Sequence, residues 1–231
     1  MQIGGSDQWA NIISGVDLIR RKENGEAFAL TTPIVVDKTT GKKFGKSEGN
    51  AVWLDAKKTS AFAFFQFWIN TTDENVGDYL KIFSFTPLTK IEKVMVTHTN
   101  EPHKRTAQKQ LAKDVTTFIH GAETAKAVER VSDVLFSGKT AVLKPSDLKL
   151  IINEVPSMKL SSKERKAGVA IIDALIGTGL CESKSEAKRL IEGNGVSVNG
   201  KPAKLETVVS EASFKSGCAL VRRGKKVAVV Y

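Results

Sequence analysis

Asp37-Lys-Thr-Thr-Gly-Lys-Lys-Phe-Gly-Lys-Ser-Glu-Gly-Asn50 is a polar stretch with Lys43-Phe-Gly-Lys-Ser47 at its centre. Lys43 and Lys46, with a glycine between them and a hydroxyl after them, can close over a polyphosphate when Gly41, Gly49 and Asn50 leave the segment free to turn. Ammonium groups neutralise a triphosphate leaving group more strongly as its bond breaks than before, so they lower the barrier without any proton transfer. The same composition fits a solvated, lysine-rich turn, and so short a motif needs a second signal.

That signal lies upstream, in Gln2-Ile-Gly-Gly-Ser-Asp-Gln-Trp-Ala-Asn-Ile-Ile-Ser-Gly-Val16. Trp9, Ile12, Ile13, Val16 and Ile19 recur at helical spacing and predict one buried face, with Ser6 or Asp7 as the N-cap. Glycines ahead of a helix N-terminus let a ligand approach the backbone, and Asp7 and Gln8 can hydrogen-bond ribose hydroxyls or a polar substrate group. Alone, the stretch reads more simply as an ordinary capped helix after a tight turn.

Together, Gly4-Gly-Ser-Asp-Gln-Trp9, Lys43-Phe-Gly-Lys-Ser47 and the following Gly49-Asn-Ala-Val-Trp-Leu-Asp55 resemble the catalytic domain of class I aminoacyl-tRNA synthetases, in particular the bacterial-type or mitochondrial tyrosyl enzymes. The pentapeptide corresponds to that class's Lys-Met-Ser-Lys-Ser signature. The likeness continues through Phe65-Gln-Phe-Trp-Ile-Asn70 and Lys104-Arg-Thr-Ala-Gln-Lys109 to the C-terminus.

The resemblance implies activation of tyrosine by ATP to tyrosyl-adenylate and transfer to tRNA-Tyr. It assigns Gly4, Gly5, Asp7, Gln8 and Lys46 to the ATP or adenylate, Gln2 and Gln8 to tyrosine, and Lys43, Lys46 and Ser47 to the catalytic loop. Magnesium accompanies ATP as substrate, held mainly by phosphate oxygens, with no tightly bound cofactor and no protein metal site expected. Ala10 stands where the family has glycine. The family's His-Ile-Gly-His-type signature is absent, and so is the half of the fold that binds the tyrosine hydroxyl and builds the family's homodimer. The chain is therefore expected to be a truncated tyrosine-tRNA ligase, silent in isolation, or in the alternative a tRNA-binding fragment. Residues 1–80 would then expose an apolar face, while the later pieces fold on cores of their own.

The chain has 231 residues and a formal net charge of +10. Lys and Arg against Asp and Glu count 9 to 10 over residues 1–80, 16 to 9 over 81–167 and 10 to 6 over 168–231, so the positive excess lies after residue 80. A polyanion partner follows from that placement. No apolar run approaches the roughly 18 residues of a membrane span, and there is no signal-peptide pattern. A soluble intracellular protein is expected, in cytoplasm or alternatively the mitochondrial matrix. Cys181 and Cys218 form no disulfide framework or metal pair, and His98, His103 and His120 read as helix-surface or C-cap residues, His120 before Gly121 favouring positive charge.

The fold class expected is a partial α/β, Rossmann-like nucleotide-binding region (1–73), an α-helical bundle (74–155), a linker (156–166) and a small α+β domain (167–231). Thr59-Ser60 caps an aromatic helix, Phe62 to Trp68, whose rings read as core. Val76, Tyr79, Leu80 and Phe83, then Ala107, Leu111, Val115 and Phe118, then Val128, Val131, Val134 and Leu135 mark further helices, and Thr89 with Glu92 makes a capping box. Ser183 with Glu186 caps a helix that carries Lys184, Lys188 and Arg189 on one exposed face. The last piece resembles the αL RNA-binding domain, which implies RNA contacts at Ser183, Lys184, Lys188, Arg189, Arg222, Arg223, Lys225 and Lys226. A solvated basic face accounts for the same residues without RNA.

Overall fold

The computed structural model describes residues 1–45, 52–137 and 143–231. β1 (Gln2–Gly5), α1 (Trp9–Glu23) and β2 (Ala29–Thr32) form a parallel β-α-β unit, with Gln2 opposite Ala29 and Gly5 opposite Thr32. A 3-10 turn, Ser6–Gln8, separates β1 from α1, so neither Ser6 nor Asp7 caps the helix; Gln8 precedes it and its side chain accepts no capping hydrogen bond. The periodicity identifies the helix correctly but only Ile12 is buried on it, while Trp9 and Ile13 are 49% and 39% exposed. Ile3, Leu18, Phe28 and Leu30 are exposed with them. Two strands cannot cover this face.

Helices α2 (Ala61–Ile69), α3 (Asp73–Phe83), α4 (Leu88–Asn100), α5 (Thr106–His120) and α6 (Ala122–Ser137) form the bundle. Ser60 caps α2 by accepting from the Ala63 N–H. In α4 the expected Thr89–Glu92 capping box is replaced by a start at Leu88 after Pro87, whose ring fixes φ for the entering turn. The aromatic helix α2 is the bundle's centre rather than the end of the first piece: Phe64, Phe65 and Trp68 are buried against residues of α3, α5 and α6. The boundary at residue 73 therefore cuts through a single core. His98 is buried as well, facing the Asp73 carboxylate at 3.0 Å, rather than lying on a helix surface.

The C-terminal part follows as α7 (Leu148–Glu154), β3 (Ser157–Met158), α8 (Ser162–Ala167), β4 (Val169–Ala170), α9 (Ile171–Gly177), α10 (Lys184–Glu192), β5 (Val196–Val198), β6 (Lys201–Pro202), β7 (Val208–Val209), β8 (Ala219–Arg223) and β9 (Lys226–Val230). The main sheet runs β3-β9-β8-β5-β6, with β3 parallel to β9 and the other pairs antiparallel. Asn199 and Gly200 both take positive φ and turn β5 into β6 as their dipeptide predicts. The stretch 156–166 is no free linker: it holds β3, and the Ser161–Glu164 capping box that starts α8.

Alternation along β8 and β9 divides their side chains between two cores. Leu220 and Val229 pack into the bundle cluster with Leu143 and Ile151, while Ala219, Val221, Ala228 and Val230 pack against Ile171, Leu175 and Ile191. The sheet is thus covered on both sides: the last piece keeps a core of its own, as expected, while the other face of its sheet joins the core of the bundle. Arg222 donates to the Leu135 carbonyl and Ser216 to that of Leu143, reinforcing the junction. A buried ion pair, Arg130 to Asp147 at 2.8 Å, ties α6 to the turn before α7. Among the described residues no helix is long and apolar enough to cross a membrane. Both cysteines are buried and free, and burial pushes the Cys218 thiol up to about 11.

Candidate active site

Gly4 and Gly5 end β1 because the chain's own side chains need the space. A Cβ on Gly4 would stand 2.8 Å from Ile12 Cδ1, and one on Gly5 2.8 Å from Asp7 Oδ1. The glycines therefore let α1 pack against β1 and leave the Asp7 carboxylate its position. That carboxylate accepts a hydrogen bond from Lys43 Nζ, Oδ2 to Nζ 2.9 Å. The hydrogen bond from Lys43 holds the Asp7 carboxyl below the usual carboxylate range, outweighing the opposing effect of burial. Gln8 accepts from Asn11 Nδ2 at 3.1 Å, so its amide sits at the start of α1 beside Asp7. Gln2 lies exposed on β1, at the far end of the strand from this turn.

Lys43 is positioned by a short hairpin. Phe44 N–H donates to the Val35 carbonyl at 2.9 Å, Asp37 N–H to that of Lys42 at 2.9 Å, and Val36 bridges Lys43. The turn between them is closed by the Asp37 carboxylate, which accepts from the Thr39 and Thr40 N–H groups at 2.8 and 3.1 Å, and by Gly41 with φ +69°. Backbone alternation sends Lys43 toward Asp7 and its neighbour Phe44 into the bundle. Phe44 stacks on Trp68 with ring centroids 5.8 Å apart and meets Phe67, Tyr79 and Phe83 edge-on or tilted. The second residue of the motif, Phe44, is thus an anchor in the core, which its polar sequence surroundings conceal.

Of the residues singled out by sequence, Asp7 and Lys43 are brought into contact and Gly4, Gly5 and Gln8 surround them. Lys46 and Ser47 lie outside the described residues. Of the basic set, Ser183 caps α10 by accepting from the Glu186 N–H at 3.2 Å, while Glu186 reaches the Glu182 N–H rather than closing a reciprocal box. Lys188, Arg189, Lys225 and Lys226 are exposed, as is Lys184, which stands 3.7 Å from Asp173. Arg222 and Arg223 are engaged within the protein: besides the bond to Leu135, Arg223 donates to the Leu180 carbonyl and pairs with Glu186 at 2.7 Å. Pairing in the folded chain was not visible in the sequence because both partners lie on distant elements. A concavity of about 850 Å³ between α2, α5 and α6 is lined by Lys104, Arg105, Lys109 and Lys113 and by Glu129 and Asp133, with Lys113 paired to Glu129 at 3.2 Å, and leaves a positive excess there.

The family model for class I tRNA synthetases of the tryptophan and tyrosine type matches residues 1–137, which carry the Asp7–Lys43 site and the bundle. The chain belongs to the class I tRNA synthetases. A second model, the tyrosine–tRNA ligase C-terminal domain, matches residues 147–230 of this synthetase chain. A tyrosine–tRNA ligase of Streptococcus agalactiae serotype Ia is 41% identical over 98% of the synthetase chain and 54% of its own length. One from Staphylococcus saprophyticus is 44% identical over 98% of this chain and 53% of its own. The synthetase chain thus spans about half the length of the curated relatives it matches. A C-terminally truncated mitochondrial tyrosyl-tRNA synthetase of Aspergillus nidulans aligns at TM-score 0.49 and 32% identity, over 58% of this chain and 38% of that one.

Proposed function

We propose that the chain serves in a tyrosine-tRNA ligase, supplying the phosphate-handling wall of the adenylation site and a surface for tRNA. The carrying observation is the Asp7–Lys43 contact, which joins the glycine turn to the lysine loop across 36 residues of sequence. Each partner is about two-fifths exposed, so water and salt screen the pair and a nucleotide can replace it. On ATP binding, a ribose hydroxyl donates to the Asp7 carboxylate, and Lys43 turns its ammonium to the phosphates. Gly4, Gly5 and Gln8 border the adenylate, and Gln2 and Gln8 face the tyrosine. Lys46 and Ser47 complete the clamp on pyrophosphate. As the carboxylate of tyrosine attacks the α-phosphorus, negative charge grows on the departing pyrophosphate, where the lysines stabilise it.

Magnesium enters on the triphosphate as part of the substrate; among the described residues no group of three or more His, Cys, Asp or Glu side chains is placed to hold a metal. The first unit is Rossmann-like and the last an αL-type RNA-binding domain, whose Ser183, Lys184, Lys188, Arg189, Lys225 and Lys226 meet tRNA-Tyr phosphates, with Arg222 and Arg223 shaping the face from within. Tyrosine is preferred over tryptophan as substrate because residues 147–230 match the tyrosine–tRNA ligase domain.

The test is transfer of labelled tyrosine or tryptophan to total tRNA, run on the longest form of the protein that is expressed. Tyrosine charging that falls in Lys43→Ala is the expected result. Tryptophan charging, or tyrosine charging indifferent to Lys43, overturns the reading.

A further inference from the structure

Asn75 is 2% exposed in the first turns of α3, yet it is not part of an apolar face; every polar atom of its amide points at the hairpin that carries Lys43 or at the turn that starts its own helix. Its Oδ1 accepts from the Lys38 N–H at 2.8 Å. Its Nδ2 donates to Asp37 Oδ1 at 3.0 Å and to Thr72 Oγ1 at 3.0 Å, with Thr39 Oγ1 at 3.3 Å. The amide has one workable orientation, since a flip would set its oxygen against the Asp37 carboxylate. Around it, Thr39 and Thr72 hydroxyls meet at 3.1 Å, and Lys38 Nζ reaches Asp78 Oδ2 at 2.6 Å one turn further along α3.

We infer that Asn75 is a positioning residue for the phosphate loop: it fixes the Asp37–Gly41 turn to the bundle and so sets where Lys43 stands relative to Asp7. The other ties from this turn to the bundle, the Thr39–Thr72 hydroxyl contact and the Lys38–Asp78 pair, are exposed and screened by water. Its own Asx hydrogen bonds shape it without tying it to anything, and the strand that returns from it is a single bridge with Phe44 as its apolar anchor. Phe44 fixes one end and Asn75 the other, and Lys43 lies between them. A buried amide that spends its acceptor and a donor on another segment is costly to leave unpaired, so the turn is held where those partners are. The inference rests on the reading of this loop as a phosphate clamp.

Asn75→Asp keeps the size but removes the donor and sets a carboxylate against Asp37. Asn75→Ala removes donor and acceptor together and introduces no charge, so it separates loss of the hold from repulsion at Asp37, whose Oδ1 also accepts from Thr39 and Thr40. Amide hydrogen exchange at Asp37, Lys38 and Phe44, read against α5 amides, and pyrophosphate binding by calorimetry are measured on the intact chain. In both variants the hairpin amides exchange about tenfold faster or more while α5 is unchanged, and pyrophosphate binds about tenfold more weakly. Unchanged hairpin exchange, equal acceleration in α5, freed amides with unaltered binding, or effects confined to Asn75→Asp each overturns the assignment. Absence of pyrophosphate binding by the wild-type chain instead overturns the phosphate-clamp reading and with it the functional part of the inference, the exchange rates then deciding whether Asn75 holds the turn.

Discussion

Lys43 Nζ donates to Asp7 Oδ2 at 2.9 Å, and this contact makes one site of two sequence stretches that each read as ordinary alone. Because Lys43 is the main reason the Asp7 carboxyl lies low, Lys43→Ala lets the Asp7 titration move back toward the ordinary carboxylate value, as seen by NMR. The melting temperature stays put, since both groups are half in water. If Lys43 stabilises the leaving pyrophosphate, kcat for adenylate formation falls about 100-fold while the KM for tyrosine holds. An equal change in KM alone would mean that Lys43 only helps substrates bind.

Phe44 should matter to stability out of proportion to its place in a polar loop. Its ring touches Phe67, Trp68, Tyr79 and Phe83, so Phe44→Ala opens a gap among aromatic side chains and costs about 2 kcal/mol, less than a fully buried phenylalanine. Urea unfolding followed by tryptophan fluorescence measures it. A loss under about 0.5 kcal/mol, the usual effect of a surface change, would show that the ring is not an anchor.

What is legible in the sequence depends on the range of the interactions involved. Helices α5 and α6 follow from stripes such as Leu111 and Val115, and the Asn199–Gly200 hairpin from a backbone requirement, because local periodicity and local φ values dictate them. Trp9 and Ile13 have the spacing of a buried face yet stay exposed, because a moment along one helix says which side is apolar and not whether anything covers it. Asp37 could have been read as an Asx turn from Asp37-Lys-Thr-Thr-Gly41 alone. Asn75 could not, since a lone polar residue beside Val76 has all its partners but Thr72 36 to 38 positions away. The same distance hides the docking of Leu220 and Val229 on the bundle, where alternation predicts two faces but not what lies on each.

Asp147 sets an acid limit on the joined fold. Burial alone would raise its carboxyl, but the hydrogen bond from Arg130, the Lys144 N–H and the charge of Arg130 outweigh it and hold it below its ordinary value. A depressed carboxylate contributes stability that is complete above the unfolded value of 3.8 and is lost as pH falls through the lower folded value. Urea midpoints should therefore decline below about pH 4, with Asp147→Asn lacking that component. Arg130→Ala, which strands the buried carboxylate, should cost about 3 kcal/mol near neutrality.

His120 reverses the expectation that a helix C-terminus favours its positive charge. Its ring lies edge-on to Phe64 with centroids 4.9 Å apart, and burial pushes its pKa below 6.5. The neutral form belongs to the folded state, so stability present above 6.5 declines as pH falls from there to the lower folded value. NMR titration of His120 should give a midpoint below 6.5. A midpoint above it would restore the helix-dipole reading.

The basic face divides into residues free to meet RNA and residues spent on the fold, and reversal experiments separate them. Lys188 and Arg189 are exposed on α10, so Lys188→Glu with Arg189→Glu should weaken tRNA binding and lower the slope of log K against log salt by about 2, with urea midpoints unchanged. Arg222 caps the Leu135 carbonyl at the junction of sheet and bundle, so Arg222→Ala should cost about 1–2 kcal/mol of stability and leave the salt slope nearly intact at conditions where the chain is folded. A salt slope that falls by about 1 in Arg222→Ala while stability holds would place that guanidinium on phosphate rather than on Leu135. Equal slopes for wild type and the α10 double variant would leave that face merely solvated, and the RNA assignment would then have to move to the basic groove around Lys109 and Lys113.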